Sequence, residues 1–268
     1  MGITTIVGFL IAVGGILGGL YFKGISPMAL FNMPGIFVVI IGTLGATVLS
    51  FPKSTVASIP SSYLLALKGS SSPPSHELVN DLVSMADKAR REGLLALEEE
   101  AQNTTDEFAR KGLMLMIDGT DPDSLRSIME IEIEGASRRG AERAEIFKVG
   151  AAYAPTLGVV GAVLGLIGVL SKLGGDPAEL GQGIAVAFVA TFYGVGMANL
   201  LLLPLALKLK SIAAEEQHQQ ELVLEGVLAI QAGDNPRIVR EKLQAFLPPS
   251  ERVTEQDEAA GGTDRVAA

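Results

Sequence analysis

The stretch VGAAYAPTLGVVGAVLGLIGVL, Val149–Leu170, carries no charged side chain over its whole length. An α-helix rises about 1.5 Å per residue and the hydrocarbon core of a bilayer is about 30 Å thick, so a helix of this length can cross it. Three more uncharged blocks of comparable length are Ile3–Phe22, Pro34–Phe51 and Gly183–Leu207. Four such blocks rarely coincide in the core of a soluble protein. We therefore predict an all-α integral membrane protein with four transmembrane helices.

Lysine and arginine set the predicted orientation of these helices. The short segments 22–33 and 171–182 contain one basic residue each, whereas 52–148 and 208–268 contain the other 19 of 21. Basic segments that flank the spans stay in the cytoplasm. Both termini and the long middle loop are therefore expected to be cytoplasmic, and the two short segments to face outward.

The same pattern divides the chain into five segments. They are transmembrane helices 1 and 2 (1–52), a cytoplasmic helical domain (53–148), transmembrane helices 3 and 4 (149–207), cytoplasmic C-terminal helices (208–248) and an acidic tail that we expect to be disordered (249–268).

The charged segments predict long cytoplasmic helical extensions. One helical run is expected over Glu77–Lys111. Asp121-Pro122-Asp123 is typical of a helix start, because proline fits the first turn and acids favour the positive end of the helix dipole. A helix that runs from there to Leu170 has about 48 residues and is about 70 Å long. The helix of the fourth block is expected to continue toward Ala232, followed by a short helix over Arg237–Phe246.

Composition excludes several functional classes. The chain has no cysteine and only two histidines, so disulfides, thiol catalysis and a multi-histidine metal site are not expected. No nucleophile–base pair or phosphate-binding loop is evident, which argues against an enzyme and against a bound cofactor. The net charge of −9 argues against nucleic acid as a partner.

The four blocks lack Asp, Glu, Lys, Arg and His. Ionisable groups inside a membrane mark proton and ion pathways. This chain alone is therefore not expected to offer a protonatable relay at mid-bilayer. Either it does not conduct ions, or a partner supplies the carboxylate.

Small and hydroxyl-bearing residues are the distinctive content of the third and fourth blocks. A 3-4-3 spacing of glycines places one small-residue face toward another helix, of this chain or of a second one. Prolines near the cytoplasmic ends of both blocks predict kinks, which are common in membrane helices and can also be hinges. The hydroxyls bond their own backbone or line a wet pore. These residues are Gly158, Gly161, Gly165 and Gly168; Pro155 and Pro204; and Thr156, Thr191 and Tyr193.

Several motifs, in order along the chain, resemble the MotA/PomA family of flagellar motor stator proteins, within the MotA/TolQ/ExbB proton channel superfamily. The resemblance covers about residues 1–249. It is carried by RREGLLALE (90–98), APTLG (154–158), GAVLGLI (161–167), TFYG (191–194), Ala198-Asn199 with Pro204, GDNP (233–236) and LPP (247–249).

The resemblance implies a stator subunit of the bacterial inner membrane, embedded in lipid, that converts H⁺ or Na⁺ flow into rotation for flagellar motility and chemotaxis. Family members form a homo-oligomeric ring, understood as a pentamer, around a MotB/PomB-type partner that grips peptidoglycan. The partner's transmembrane Asp would be the carboxylate that is missing here. Cytoplasmic charges of the ring push on the rotor protein FliG.

The family's functional residues map onto particular positions of this sequence. Pro155 and Pro204 match its two functional prolines, and Thr156 and Thr191 match hydroxyls near the ion path, to which Tyr193 lies close. The charged torque residues match Arg90 and Glu98, and the neighbouring Arg91 and Glu99 leave a one-residue uncertainty in each pair. The coupling ion stays open, because threonine near the path is compatible with sodium and also occurs in proton-driven relatives.

Two alternatives to a motor subunit stay open at this point. One is an ExbB/TolQ-like energiser of outer-membrane processes, against which the fourth block and the Arg90-Arg91-Glu92-Gly93 run argue. The other is a non-conducting membrane scaffold, which the absence of intramembrane charge would fit.

Overall fold

A computed structural model of the chain describes residues 3–69, 73–172, 174 and 176–252. Within those residues every regular element is helical, which agrees with the predicted fold class. The part of the predicted disordered tail that follows residue 252 lies outside the described residues.

Ten helices are numbered here in chain order. They are α1 (Ile3–Phe22), α2 (Met33–Ser50), α3 (Lys53–Ala57), α4 (Ile59–Lys68), α5 (Ser75–Glu92), α6 (Glu98–Asn103), α7 (Glu107–Ile117), α8 (Pro122–Leu170), α9 (Pro177–Gln231) and α10 (Pro236–Gln244). Short 3₁₀ turns lie at Pro27–Leu30, Leu94–Leu97 and Pro249–Glu251.

Three of these helices are long and apolar enough to cross a membrane: α2, α8 and α9. They correspond to the second, third and fourth uncharged blocks. The first block forms α1, but its apolar stretch over Val7–Phe22 is shorter than the other three spans. The structure thus confirms an all-helical protein with at least three candidate spans.

The long helices follow their sequence signals. Helix α8 begins at Pro122 after an Asp121 cap, whose Oδ1 accepts from the Ser124 backbone N–H at 3.0 Å, and it has 49 residues. Hydrogen bonding to the Ser124 side chain first, and then to the Ser124 backbone N–H, lowers the pKa of the Asp121 carboxyl from its ordinary value. The predicted helix of about 48 residues is confirmed, because Pro155 does not end it.

Helices α2 and α9 each contain a π-helical segment, at Phe37–Ile41 and Met197–Leu202. The second segment ends two residues before Pro204. Proline has no N–H to donate to the carbonyl one turn earlier, and its ring crowds that carbonyl. The helix therefore widens in the turn before Pro204 and continues to Gln231.

The single helical run predicted over Glu77–Lys111 is wrong. Helix α5 ends at Gly93, whose φ of +88° and ψ of 165° lie in a region that only glycine adopts without strain. A second break comes before α7, where Asp106 Oδ1 accepts from the backbone N–H groups of Phe108 and Ala109 at 2.8 and 3.3 Å. This Asp is an ordinary N-cap, so it starts a new helix.

The chain forms two compact units. Unit 1 comprises 1–70 and 138–213, and unit 2 comprises 71–137 and 214–268. Unit 2 has a core of fully buried side chains from its helices, among them Leu97, Leu113, Met116, Leu125, Met129, Leu222 and Val227.

An ion pair joins α8 to α9 at the edge of the core of unit 2. Arg126 on α8 donates to Glu225 on α9 at 2.9 Å and also lies 3.7 Å from Glu130. The hydrogen bond to Glu225 raises the pKa of the Arg126 guanidinium. Because these groups are more than a third exposed, we expect the pair to contribute only about 0.5 kcal/mol or less to stability.

Unit 1 has a smaller buried cluster and many exposed apolar side chains. Its cluster includes Ala144, Ile146, Phe147, Ala206 and Leu209. The exposed apolar residues lie mainly on α1, α2, α8 and α9. Apolar surface of this extent is suited to lipid or to other helices and not to water.

Substituting Gly93→Ala is expected to destabilise unit 2 by about 1–3 kcal/mol, because alanine at this φ and ψ is strained. The measurement is thermal unfolding of the detergent-solubilised chain, followed by circular dichroism. Glu92→Ala, an exposed change in the last residue of α5, is the control and should leave the midpoint nearly unchanged. Equal midpoints for the two variants would show that the turn tolerates a side chain.

Candidate functional site

Glycines on α8 bring it against α9 inside unit 1. A Cβ added at Gly161 would lie 2.8 Å from the Ala190 Cβ, and one added at Gly165 would lie 2.8 Å from the Ala187 Cβ. At Gly158 the nearest atoms belong to the α9 backbone, at 3.2 Å. No side chain fits at these three positions without displacing α9, so glycine is what permits the close approach.

The fourth glycine of the predicted face, Gly168, is different. An added Cβ there would have no heavy atom of the described residues within 4 Å. The reciprocal position on α9 is Gly194, where a Cβ would overlap the Ala154 backbone oxygen. Gly194 was not singled out for packing from the sequence, because its spacing relative to α8 becomes visible only in three dimensions.

The predicted path residues lie on these contacting helices. Pro155 is half-buried and Thr156 is exposed on α8, and the Thr156 Oγ donates to the Tyr153 carbonyl at 2.7 Å. Thr191 on α9 is half-buried, and its Cα lies 3.2 Å from where a Gly158 Cβ would be. The Thr156 hydroxyl therefore has the backbone bond expected of threonine in a membrane helix, and Thr191 lies against Gly158 in the α8–α9 contact.

Tyr193 reaches a different neighbour. Its hydroxyl donates to the Leu30 carbonyl and accepts from the Asn32 backbone N–H at 3.1 Å. The Asn32 side chain donates from Nδ2 to the Val186 carbonyl at 3.0 Å, and its Oδ1 caps the Gly35 N–H at 3.3 Å. Asn32 was missed from the sequence, although an Asn followed by Met33-Pro34 is a recognisable helix N-cap.

Pro204 is exposed and lies apart from the glycine contacts, next to the π-helical segment Met197–Leu202. Nothing in the described residues groups three or more His, Asp or Glu side chains in an arrangement that could hold a metal ion. Around the glycines, the contact between α8 and α9 is formed by Gly158, Gly161 and Gly165 on α8 against Ala187, Ala190 and the Thr191 backbone on α9.

The predicted torque residues lie in unit 2, on either side of the Gly93 turn. All four, Arg90, Arg91, Glu98 and Glu99, are exposed. Arg91 pairs with Asp87 one turn earlier, and Glu98 accepts from Gln102 at 3.3 Å. The side chains of Arg90 and Glu99 have no ion pair or hydrogen bond to another residue that the structure describes.

Two charged residues close to these four, Lys88 and Glu100, form an ion pair within the chain. Lys88 donates to Glu100 at 2.7 Å, and that hydrogen bond raises the pKa of the Lys88 ammonium. Lys88 and Glu100 are therefore engaged with each other, whereas Arg90 and Glu99 remain available to a second molecule.

A profile of the MotA/TolQ/ExbB proton channel family matches residues 100–222. The chain is 37% identical to Motility protein A of Bacillus subtilis (strain 168), over 97% of this chain and 96% of that one. It is 37% identical to Chemotaxis protein PomA of Vibrio alginolyticus, over 68% of this chain and 71% of that one. The solved structure of C. jejuni MotAB matches with a TM-score of 0.91 at 31% identity, covering 95% of this chain and 100% of the other.

Substituting Gly194→Ala is expected to separate α8 from α9, because the new methyl group would overlap the Ala154 backbone oxygen. Only a movement of the backbone can relieve that overlap. We expect a loss of about 1–3 kcal/mol of stability, as for overpacking in a core. The matched control is Gly181→Ala, in the same helix with no atom of the described residues within 4 Å of the added Cβ. Thermal unfolding of both variants in detergent measures the difference, and a Gly194→Ala midpoint at or above that of Gly181→Ala would contradict the packing.

Proposed function

Because the chain belongs to the MotA/TolQ/ExbB proton channel family, in its MotA/PomA branch, we propose that it lines an ion path around a carboxylate that its partner supplies. It is a flagellar motor stator subunit of the bacterial inner membrane that works with a MotB-type partner. It is a component of an ion channel and not an enzyme.

One observation carries the proposed division of labour. The uncharged blocks of this chain contain no acid, yet an ion must be held somewhere within the bilayer to do work. A carboxylate in hydrocarbon is costly unless it is solvated or paired. The Thr156 and Thr191 hydroxyls, on helices kept close by glycine, supply polar neighbours for such a group or for a partly desolvated cation.

Pro155 and Pro204 couple ion binding to movement in this proposal. Each proline removes one backbone hydrogen bond from a long helix, and Pro204 follows a π-helical segment. Helices bend most easily where their backbone hydrogen bonds are already irregular. Bending at these positions would transmit a change at the partner's carboxylate to the cytoplasmic ends of α8 and α9.

The topology that we propose has four spans and cytoplasmic termini. The 20 residues of α1 are enough to cross a bilayer, and the segment between α1 and α2 carries only Lys23. The domain boundaries follow those spans, with 53–148 and 208–248 cytoplasmic and lipid around 1–52 and 149–207.

A homo-oligomeric ring, by family resemblance a pentamer, accounts for the exposed apolar surface of unit 1. Val159, Val163 and Ile167 on α8 are each at least half exposed, as is Phe188 on α9. Further copies, the partner and lipid together would cover these side chains. In membranes such contacts are stabilised by packing, because lipid tails are already apolar.

The rotor contact is proposed for the exposed charges around Gly93. Arg90 and Glu98 meet FliG, with Arg91 and Glu99 beside them. Exposed charges contribute little as permanent bonds but steer transient encounters with a charged surface. Such a contact suits a stator that must bind and release the rotor repeatedly.

An ExbB/TolQ-like role is less supported. Motility protein A of several bacteria matches over nearly the whole chain, and solved structures that match it are MotAB complexes. The two roles separate in a strain that lacks this gene. Filaments that are present but do not turn indicate a stator, whereas normal rotation with envelope leakage or failed iron uptake indicates the energiser.

The coupling ion is tested in the same strain after complementation. Swimming speed is measured against sodium at fixed pH, and against pH at fixed sodium. Dependence on sodium assigns Na⁺, and dependence on the proton gradient alone assigns H⁺.

Reversing charge in the double variant Arg90→Glu with Glu98→Arg is expected to lower stall torque without loss of assembly, because each side chain would then meet like charge on the rotor. Like charge at an encounter surface slows association by about tenfold or more. Torque is read from tethered cells or beads, and assembly from co-purification with the partner. The control is Arg138→Glu, whose side chain is 81% exposed on α8. Normal torque in the double variant would contradict the role of these two residues.

A further inference from the structure

The side chain of Asn32 joins the start of α2 to α9 through a small, fully engaged network. Asn32 is 7% exposed. Its Nδ2 donates to the Val186 carbonyl at 3.0 Å, and its backbone N–H donates to the Tyr193 hydroxyl at 3.1 Å. That hydroxyl in turn donates to the Leu30 carbonyl. The Tyr193 ring packs on Gly35, where an added Cβ would lie 3.4 Å from two ring carbons.

The two contact points on α9 are seven residues apart. Positions 186 and 193 lie on one face of a helix, separated by about two turns or 10.5 Å. Between them, Ala187, Ala190 and Thr191 face the glycines of α8. The segment 186–194 is therefore held from two sides: by close glycine packing on α8 and by hydrogen bonds from Asn32.

The hold on α9 ends just before the helix becomes irregular. On the C-terminal side of Tyr193, α9 contains Gly196, then the π-helical segment Met197–Leu202, and then Pro204. Among the described residues, no side-chain hydrogen bond links 197–204 to another helix. The Asn199 amide, the polar side chain of this segment, donates to the Val195 carbonyl of its own helix. A segment tied by side-chain hydrogen bonds thus adjoins one that is held by apolar packing and has an irregular, π-helical backbone, where helices bend most easily.

We infer that Asn32 and Tyr193 are positioning residues that keep Thr191 at its place beside α8 while α9 bends over 197–204. This inference rests on the proposed function, since it requires that Thr191 borders the ion path. Asn32 and Tyr193 themselves do not touch the ion. Loosening them lets Thr191 shift relative to Gly158, so the site holds the ion less well while the motor unit still assembles.

The test uses the whole chain with its partner in the deletion strain. Tyr193→Phe keeps the ring on Gly35 and removes only the hydroxyl, and Asn32→Ala removes the side-chain bonds to Val186 and Gly35. The control is Tyr153→Phe, which also deletes an interhelical tyrosine bond in unit 1, the 3.0 Å contact between the Tyr153 and Ser50 hydroxyls. Stepwise speed changes count the installed units, and speed per unit is recorded against the concentration of the driving ion.

Tyr193→Phe is expected to raise the ion concentration that gives half-maximal speed per unit by about threefold or more, the effect of losing one buried hydrogen bond. Asn32→Ala is expected to shift it in the same direction, and Tyr153→Phe to leave it at the wild-type value. A purely structural role would instead reduce the number of installed units with an unchanged ion curve. That result, a complete failure of Tyr193→Phe to install, or equal shifts in Tyr193→Phe and Tyr153→Phe would overturn the proposal. Failure of the wild-type chain to restore rotation would instead count against the stator role itself.

Discussion

The cost of an unpaired charge in hydrocarbon shapes this molecule more than any other interaction. Each uncharged block satisfies its backbone within a helix and leaves every Asp, Glu, Lys, Arg and His outside. A chain built this way offers no charged side chain of its own within those blocks. The proposed dependence on a second subunit with an intramembrane acid rests on that constraint, and a solved MotAB complex is among the structures that match this chain.

Close packing is the second consequence of a membrane environment. Lipid tails are as apolar as leucine, so burial of large side chains gives little drive for helices to associate. Helices α8 and α9 approach instead through Gly158, Gly161 and Gly165, where backbone meets backbone or alanine. Asn32 adds directional hydrogen bonds to a contact that would otherwise be smooth. The helix α9 is firmly held over 186–194 and irregular over Met197–Leu202, which is the arrangement that a hinge requires.

The membrane part could be predicted from the sequence because its determinants are local. Length, absence of charge and an N-terminal Asp-Pro signal located α2, α8 and α9, and carried α8 to within a residue of its observed length. The cytoplasmic run over 77–111 was predicted less well. Its charged helical pattern continues through Gly93 and Asp106. The helix breaks there because Gly93 adopts a positive φ and Asp106 caps a new helix. Both breaks are stabilised by the burial of Leu97 and Leu113 in the tertiary structure, which the local sequence does not reveal.

Within the candidate site, the residue types were predictable and their partners were not. Spacing indicated a glycine face, but only the structure shows Gly168 outside the contact and Gly194 inside it. The sequence placed Tyr193 beside the ion path, and the structure shows its hydroxyl hydrogen-bonded to the backbone of Leu30 and Asn32, 163 and 161 positions away in sequence.

The central claim is that this chain conducts only around a partner's acid, and ion uptake into vesicles tests it most directly. Uptake is expected when the chain is co-expressed with its MotB-type partner, and should vanish both for this chain alone and when the partner's membrane carboxylate is changed to an amide. Uptake by this chain alone, or uptake that persists with the amide, would contradict the account.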